Sequence, residues 1–275
     1  MNDPKLPLGR KTGYPNKYQP AVLFAIARSE SRQFLGIGKA ADELPFQGTD
    51  IWNAWDLTWL GPGNLPLVAT AEIRIPASSP SLIESKSLKL YLGSFALSEF
   101  ESAAVVSDTI TRDLTTCLAE PVEVHIVPLA DTEAKNVSRL PGTCLDAMAV
   151  SCDSREVDAG LLRSDPDRVL QEELHSHLLR SLCPVTAQPD IGSLAIHYHG
   201  PGIDHAALLQ YIVSYREHSD FHEACIERMF VDILERCKPE KLSIHACYQR
   251  RGGIDINPFR SNFEDHPPNL RLWRQ

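Results

Sequence analysis

The stretch PLVATAEIRI, residues 66–75, decides the fold class because apolar and polar side chains alternate along it. In a strand, such alternation puts the apolar side chains on one face and the polar ones on the other. The apolar face consists of Ala69, Ala71, Ile73 and Ile75. A strand that is buried on one face only is typical of an antiparallel sheet.

A second stretch with this pattern, SLAIHYH, occurs at residues 193–199. Each strand precedes a segment with apolar residues at helical spacing, residues 83–95 in the first half and 207–223 in the second. Each half then ends in a helix, a proline turn and a strand, at residues 109–129 and 229–249. The sequence therefore predicts two units with the order strand, helix, helix, strand. The helical stripes are Leu88, Leu92 and Phe95 in one unit and Leu208, Ile212 and Tyr215 in the other.

These elements predict an α+β protein with two modules. We place the first module at residues 51–150 and the second at residues 165–275, with a long linker around residues 130–165. Residues 1–50 are rich in Pro, Gly and polar side chains, so we expect an arm and a set of loops there. One large mixed sheet without duplication is the alternative that the pattern leaves open.

A further helix is predicted over SDPDRVLQEELHSHLLRSL, residues 164–182. Asp165 can cap this helix, and Pro166 would occupy its first position, where no backbone N–H is needed. Its apolar stripe would consist of Leu170, Leu174 and Leu178. The helix would lead the chain directly to Cys183.

The composition favours a globular protein that acts on a small molecule. Of the 275 residues, 43% are hydrophobic and 23% are charged, as in ordinary globular chains. The net charge of −9 argues against a nucleic-acid partner, because binding to phosphate backbones depends on clustered Lys and Arg. Residues 1–20 have no apolar signal segment, and no window reaches the ~18 apolar residues of a membrane span. We therefore expect a cytoplasmic protein with no membrane partner.

Cys183 and Asp190 bound the stretch CPVTAQPD. The seven cysteines have no regular spacing and no CxxC motif, so a buried, reduced thiol is the simplest interpretation of each and no metal site is predicted. Here, however, Pro184 and Pro189 stiffen the backbone and would hold the thiol and the carboxyl in fixed relative positions. Such a pair suits covalent catalysis, in which the thiolate attacks an electrophilic carbon and the acid moves a proton. Capping of a turn or strand is the alternative role for Asp190.

The segment REHSDFHE, residues 216–223, places His222 and Glu223 before a helical run. Ligands and capping side chains both meet unsatisfied backbone N–H groups at a helix N-terminus. The pair therefore has two possible roles, ligand binding and helix capping.

The segment IESKSLKLY, residues 83–91, places Glu84 and Ser85 in the first turn of a helix. Lys86 and Lys89 lie three residues apart and share a face, which can attract an anionic group. A solvated helix start is the simpler interpretation.

The segment YQRRGGIDINPFRS, residues 248–261, sets Arg250 and Arg251 before two glycines. Glycines let the backbone approach a ligand closely, while guanidinium groups bind phosphate. The chain has no GxGxxG motif, so a dinucleotide would be bound without a Rossmann unit. A basic hairpin without a ligand is the alternative.

Four segments together, ESKSLKLYLGSF, CPVTAQPD, FHEACIERM and RRGGIDINPFRS, resemble the signature segments of the NADPH-dependent nitrile reductases of queuosine biosynthesis, the 7-cyano-7-deazaguanine (preQ0) reductases. They span residues 83–261 in the order expected of the longer, two-module members of that family. The resemblance implies tandem tunnelling-fold (T-fold) modules, each an antiparallel sheet with two helices on one face. It also implies NADPH as cofactor, preQ0 as substrate, no metal, and a homodimer.

The resemblance also implies roles for individual residues. Cys183 would add to the nitrile carbon to form a covalent thioimidate, and Asp190 would protonate the nitrile nitrogen. The substrate would be bound by Ile83, Glu84, Ser85, His222 and Glu223. NADPH would be bound by Ser85, Lys86, Arg251 and Gly252. Arg251 is preferred to Arg250 for the phosphate contact, although the sequence alone does not separate the two.

Each half of the chain lacks one motif that the short members of the family carry within a single module. The first half keeps ESKS at residues 84–87 but has Phe-Glu-Ser at residues 100–102, where Phe-His-Glu would fall. The second half keeps Phe-His-Glu at residues 221–223 and has no ESKS. The sites are therefore expected where the halves meet. A zinc-dependent pterin enzyme related to GTP cyclohydrolase and a non-catalytic purine-binding module, both of the same fold, are the competing hypotheses.

Overall fold

A computed structural model describes residues 13–38, 43–131 and 137–275 of the chain. The strands are β1 (Ala25–Ala27), β2 (Gln47–Leu60), β3 (Pro66–Pro76), β4 (Ser81–Ile83), β5 (Glu123–Pro128), β6 (Thr143–Cys144), β7 (Ser164–Leu182), β8 (Pro189–Ile203), β9 (Lys241–Tyr248) and β10 (Ile254–Ser261). The helices are α1 (Ser29–Phe34), α2 (Ser85–Gly93), α3 (Ala103–Leu118), α4 (His205–Ser214) and α5 (His222–Cys237). No helix in these described ranges is long and apolar enough to cross a membrane.

One sheet runs through both halves of the chain. Among the described residues it has eight strands in the order β5-β3-β2-β10-β9-β8-β7-β6, and only the short β6 is parallel to its neighbour. The first half contributes the hairpin β2–β3, helices α2 and α3, and β5. The second half contributes the hairpin β7–β8, helices α4 and α5, and then β9 and β10. The predicted α+β class and the duplicated order of elements are confirmed, and each unit begins with one more strand than the sequence predicted.

The two halves are joined where β2 pairs with β10. This antiparallel pairing is continuous from Ile254 opposite Ala54 to Ser261 opposite Gln47. The boundary predicted at residue 50 therefore falls inside β2. The short strands β1 and β4 form a separate pair in which Ala25 lies opposite Ile83, so the N-terminal segment also supports the start of α2.

Each half has its own hydrophobic core between its strands and its two helices. The predicted apolar faces of β3 and β8 are buried, and so are the helical stripes predicted at residues 88–95 and 208–215, which confirms those assignments. In the first core, Trp52 and Ile73 of the sheet lie in one cluster with Leu88 and Ile110 of the helices. In the second core, the corresponding residues are Leu194 and Tyr198 on the sheet and Leu208, Ile212 and Phe230 on the helices.

The helix predicted over residues 164–182 is wrong, because these residues form β7 and pair with β8 along nearly the whole segment. A spacing of four fits one helical turn, but it equally fits every second inward position of a strand. Leu174 is buried for that second reason, and Leu170 lies on the same face but is only half-buried. A register shift between Ser176 and Leu179 then leaves Leu178 exposed. Pro166 lies within another register shift, where the strand needs no N–H donor.

The segment predicted as one helix over residues 207–223 is interrupted. Helix α4 ends at Ser214, and α5 begins only at His222. The intervening residues carry the chain across the end of β7, where Leu182 N–H donates to His218 O at 2.8 Å. This break turns the Phe-His-Glu segment toward the β7–β8 hairpin.

A buried network of five charged side chains joins the N-terminal segment to both halves. Arg260 Nη1 lies 2.8 Å from Asp50 Oδ1, and its Nη2 lies 2.9 Å from Glu227 Oε1. Arg28 contacts Asp50, while Arg32 Nη2 lies 2.7 Å from Glu227 Oε1. Burial alone would raise the pKa of the Asp50 and Glu227 carboxyls, but the guanidinium charges, that of Arg260 first, bring the pKa of both below its usual value.

Candidate active site

The end of the β7–β8 hairpin brings Cys183 and Asp190 to one place. Ser181 lies opposite Asp190 in the strand register, one position before the strands separate. The loop is closed by Cys183 N–H donating to Gln188 O at 2.9 Å and Ala187 N–H donating to Cys183 O at 3.0 Å. Cys183 is 6% exposed and Asp190 is 2% exposed, so the thiol and the carboxyl are both held in a largely dry environment.

Asp190 is contacted by two nitrogen groups from other parts of the second half. Arg251 Nη2 lies 2.5 Å from Asp190 Oδ1, and His222 Nε2 lies 3.4 Å from the same oxygen. The His222 ring packs edge-on against Tyr248, with the ring centroids 4.1 Å apart. The acid, the imidazole and the guanidinium therefore form one polar cluster beside the thiol.

A two-residue turn between β9 and β10 positions Arg251. Gly252 and Gly253 have φ values of +60° and +79°, a region that side chains with a Cβ rarely adopt. Arg251 N–H donates to Ile254 O at 2.9 Å, and Ile254 N–H returns a bond of 3.3 Å to Arg251 O. Arg250, in contrast, lies over the Trp55 ring at 5.9 Å from its centroid. Of the two arginines, the structure brings Arg251 to Asp190.

Seven of the predicted site residues line one cavity of about 20 Å³. They are Ile83, Ser85, Cys183, Asp190, His222, Glu223 and Arg251. The lining thus comes from both halves of the chain, as the incomplete motifs of each half predict. This volume holds about one water molecule, so a ring-sized ligand requires a side chain to move. Arg251 is the lining residue that we expect to move, because it lies on a turn and its side chain is partly exposed.

Glu84, Lys86 and Gly252 lie outside this lining. Glu84 instead caps α2, because its carboxylate accepts hydrogen bonds of 2.7 Å from Lys86 N–H and Ser87 N–H. Burial raises the pKa of Glu84 in spite of these bonds. The substrate-binding role of Glu84 stays a prediction, and capping is the role that its contacts explain. Gly252 adjoins the cavity through Arg251 and faces Lys89, whose Cδ would lie 3.4 Å from a Cβ at this position.

Lys89 adds a second positive charge beside Arg251. Burial lowers the pKa of Lys89, and the charge of Arg251 lowers it further. Glu84, Asp190 and Cys183 are close enough to oppose that effect. The signal for this residue is the helical face that Lys86 and Lys89 share, but that pattern does not separate the two lysines.

Six residues of the lining were not predicted as site residues. They are Trp52, Leu82, Pro184, Asp220, Phe221 and Ile256. Trp52 lies on β2, where residues 50–54 are all buried, so no alternation of polar and apolar side chains marks the strand there. An uninterrupted pattern would have revealed the strand. The apolar members supply walls for a planar ring, which a list of polar motifs does not show.

Glu223 lies in the first turn of α5 and is 2% exposed. Burial, followed by the nearby charge of Asp50, raises the pKa of this carboxyl to about 7. Glu223 also precedes Glu227 of the buried charged network by one helical turn. The carboxyl therefore changes charge in the physiological pH range, next to a network that holds its own acids ionised.

We predict that Glu223→Gln stabilises the protein at alkaline pH. The pKa of Glu223 is above its usual 4.5 in the folded state, so the folded chain holds a proton that the unfolded chain has lost. The stability from this proton is fully present below pH 4.5 and is lost as the pH rises through about 7. A neutral glutamine avoids that loss, which amounts to about 1 to 3 kcal/mol at pH 8.

The measurement is the melting temperature of both proteins at pH 5.5 and pH 8, with the exposed Glu217→Gln as control. The difference in melting temperature between Glu223→Gln and the parent should increase from pH 5.5 to pH 8. The same difference for Glu217→Gln should stay constant. Parallel melting curves for Glu223→Gln and the parent would contradict the assignment of the titration to Glu223.

Comparison with known proteins assigns the chain to a family. The profile described as "Nitrile reductase, 7-cyano-7-deazaguanine-reductase N-term" matches residues 14–126, and the profile described as "QueF-like protein" matches residues 189–267. A protein of Paraburkholderia phymatum named NADPH-dependent 7-cyano-7-deazaguanine reductase is 48% identical over 277 aligned residues, with 100% of both chains covered. A protein of Burkholderia ambifaria with the same name is 50% identical with the same coverage. The chain belongs to the 7-cyano-7-deazaguanine reductase family.

Membership of this family confirms the resemblance found in four short segments and extends it over the whole chain. The two matched stretches correspond to the two modules, which supports the tandem T-fold arrangement. The family does not favour the zinc-dependent pterin hypothesis or the non-catalytic one. The individual roles of the site residues are untested by these comparisons and stay predictions.

Proposed function

We propose that this protein is an oxidoreductase that uses NADPH to reduce the nitrile of preQ0 to the aminomethyl group of preQ1, a step of queuosine biosynthesis. The observation that carries the proposal is the meeting of Cys183 and Asp190 in one cavity of a chain that belongs to this family. A thiol and an acid are the two groups that nitrile addition requires.

The proposed reaction begins with addition of the Cys183 thiol across the nitrile triple bond. Sulfur bonds to the carbon, and a proton goes to the nitrogen, which gives a neutral thioimidate. Asp190 is the proposed donor of that proton, and His222, 3.4 Å from Asp190 Oδ1, is placed to hold or replace it. Addition converts a linear, weakly electrophilic carbon into a C=N carbon that accepts hydride, and a later hydride addition releases the sulfur.

NADPH would supply the two hydrides that the change from nitrile to amine requires, and two protons complete the balance. The residues proposed to hold it are Ser85, Lys86, Arg251 and Gly252, and we add Lys89 to this proposal because its charge lies close to that of Arg251. The charges fit an anionic cofactor, because burial and then the charge of Arg251 lower the pKa of the half-buried Lys89, and a phosphate would offset this repulsion.

The deazaguanine ring presents N–H donors, which a buried carboxylate can bind. Glu223 is the carboxylate that lines the cavity, with backbone groups near Ile83 and Ser85 beside it. Trp52 and Ile256 provide apolar walls for the ring. Because the pKa of Glu223 is about 7, binding of N–H donors would draw this residue into its ionised form.

Arg251 is proposed to have two alternative partners. Its guanidinium lies against Asp190, and the role in cofactor binding requires the same group to reach a phosphate. One guanidinium on a two-glycine turn can move between these positions. Cofactor binding would then remove Arg251 from Asp190 and enlarge a cavity that is too small for the substrate.

We predict that Arg251→Ala raises the KM for NADPH about 10- to 100-fold, the range expected for loss of a charge-assisted hydrogen bond. Arg250→Ala is the matched control, since Arg250 stacks on Trp55 and precedes the same turn. Steady-state rates at varied NADPH and saturating preQ0 give both KM values. A larger effect from Arg250→Ala would assign the phosphate contact to the other arginine.

The proposed function is tested by incubating the purified protein with preQ0 and NADPH. The expected result is NADPH oxidation that depends on preQ0, with two NADPH consumed for each preQ1 formed. Oxidation without preQ1, or no oxidation at all by a folded protein, would overturn the proposal.

The expectations about partners and location also remain proposals. We propose that the protein pairs as a homodimer, as the resemblance implies for two-module members, and that it acts in the cytoplasm without a nucleic-acid partner. The net charge of −9 supports the last point. Sedimentation of the purified protein distinguishes a monomer from a dimer.

A further inference from the structure

Cys144, His175 and His177 form a cluster apart from the cavity that contains Cys183. One ligand atom of each residue lies within 4.8 Å of the other two. The strand register explains this, because Cys144 on β6 lies directly opposite His175 on β7. His177 is two residues further along β7, so it projects from the same face of the strand.

The backbone around Cys144 is fixed against β7 at several points. Gly142 has φ +77°, and a Cβ there would lie 1.9 Å from Glu173 O, so this close approach requires glycine. Leu145 N–H donates to His175 O at 2.9 Å. The Asp146 carboxylate accepts from the backbone N–H of His177 at 3.0 Å. The segment that carries the cysteine is therefore anchored on both sides of it.

Hydrogen bonds also orient the two imidazole rings. His175 Nδ1 lies 2.8 Å from Pro141 O, and a carbonyl can only accept, so the proton is on Nδ1 and Nε2 has a free lone pair. His177 Nδ1 lies 2.8 Å from Ser193 Oγ, a hydroxyl that can donate or accept, so this bond orients the ring without fixing which nitrogen carries the proton. Metal-binding histidines characteristically have their second nitrogen held in this way.

We propose that Cys144, His175 and His177 bind a zinc ion, with water as the fourth ligand. One thiolate and two imidazoles are a ligand set that zinc prefers, and three protein ligands leave one position open. In a tetrahedral site the ligand atoms are about 3.3 to 3.7 Å apart, so the cluster must contract by at most about 1.5 Å. The Cys144 side chain is exposed, so it can rotate on its anchored backbone to make that movement.

This inference goes beyond the proposed reductase function and does not depend on it. None of the three residues lines the cavity that holds Cys183. The two histidines instead line a separate cavity of about 700 Å³, together with Arg139 and Arg274. These two cations disfavour a bare metal ion nearby, so the charge of a Cys144 thiolate is essential to the site.

Metal binding is tested on the full chain, freed of metal with a chelator and then loaded with Zn²⁺ or Co²⁺. We expect one Zn²⁺ per chain after gel filtration, measured by elemental analysis. Bound Co²⁺ should show the absorption of sulfur-to-metal charge transfer and of tetrahedral coordination. Cys144→Ser should abolish the charge-transfer band, and His177→Ala should weaken Zn²⁺ binding more than ~100-fold, since even outer hydrogen-bond partners contribute 10- to 100-fold.

Cys152→Ser is the control, because Cys152 is also an exposed thiol of the second half of the chain but lies outside the cluster. It should bind metal like the parent protein, and circular dichroism checks that every variant is folded. Metal binding that is equal in Cys144→Ser and Cys152→Ser would overturn the proposal. So would a parent protein that retains no Zn²⁺ through gel filtration.

Discussion

Replacement of Cys183 by alanine is expected to lower kcat/KM for preQ0 more than ~1000-fold. The proposed reaction passes through a carbon–sulfur bond, and no other thiol is placed to form it in the part of the cavity lining that the structure describes. Alanine keeps the backbone of the hairpin end and removes only the sulfur. Binding of preQ0 should therefore survive while turnover is lost.

Two measurements separate a catalytic loss from a structural one. Without NADPH, the parent protein incubated with preQ0 should gain the mass of one substrate molecule, and Cys183→Ala should not. Isothermal titration should still detect preQ0 binding to the variant. Cys117→Ala, which removes a half-buried thiol from α3, is the control and should keep both adduct and turnover. A turnover in Cys183→Ala within tenfold of the parent would remove the thioimidate from the mechanism.

The substitution Glu227→Gln is expected to reduce the free energy of unfolding by about 3 to 5 kcal/mol, the usual result of breaking a buried ion pair. Glutamine keeps the shape of the side chain but removes its charge. Arg28, Arg32 and Arg260 would then be left with Asp50 as the single acid of the network. In a protein of this size the melting temperature should fall by on the order of 10 °C.

Glu235→Gln is the matched control because Glu235 lies on the same helix, α5, and is exposed. Its melting temperature should stay close to that of the parent. A double variant with Arg32→Met should recover part of the loss, because it removes one of the unpaired cations. Equal melting temperatures for Glu227→Gln and Glu235→Gln would show that the buried charges are compensated in another way.

Local patterns predicted much of the fold correctly. The alternating stretches of β3 and β8 and the helical stripes of α2 and α4 depend on neighbouring residues, so they are visible in the sequence. The β7 segment was misassigned because leucines at a spacing of four satisfy a helix and a strand equally well. Its pairing with β8 decided between them, and pairing is a long-range property.

In the candidate site, too, local features were predicted and long-range contacts were not. Cys183 and Asp190 were found because both lie within one short motif, and seven predicted residues share the cavity. The contact between Arg251 and Asp190 joins residues 61 positions apart and has no local signal. The zinc site proposed at Cys144 differs from the sequence-based expectation of no metal. The register of β6 against β7 brings its ligands together, and their spacing in the sequence does not reveal this.

The pairing of β2 with β10 has a consequence for the order in which the molecule is assembled. Ala54 pairs with Ile254, 200 residues later, so one edge of β2 stays unpaired during synthesis until β10 has been made. An open strand edge is a risk for aggregation, and contacts this distant in sequence slow folding. The first half can form most of its core early, but β10 supplies Ile254 and Ile256 to that core and joins the two halves into one sheet. Catalytic competence therefore requires synthesis to pass the Arg251 turn and β10, which arrive together.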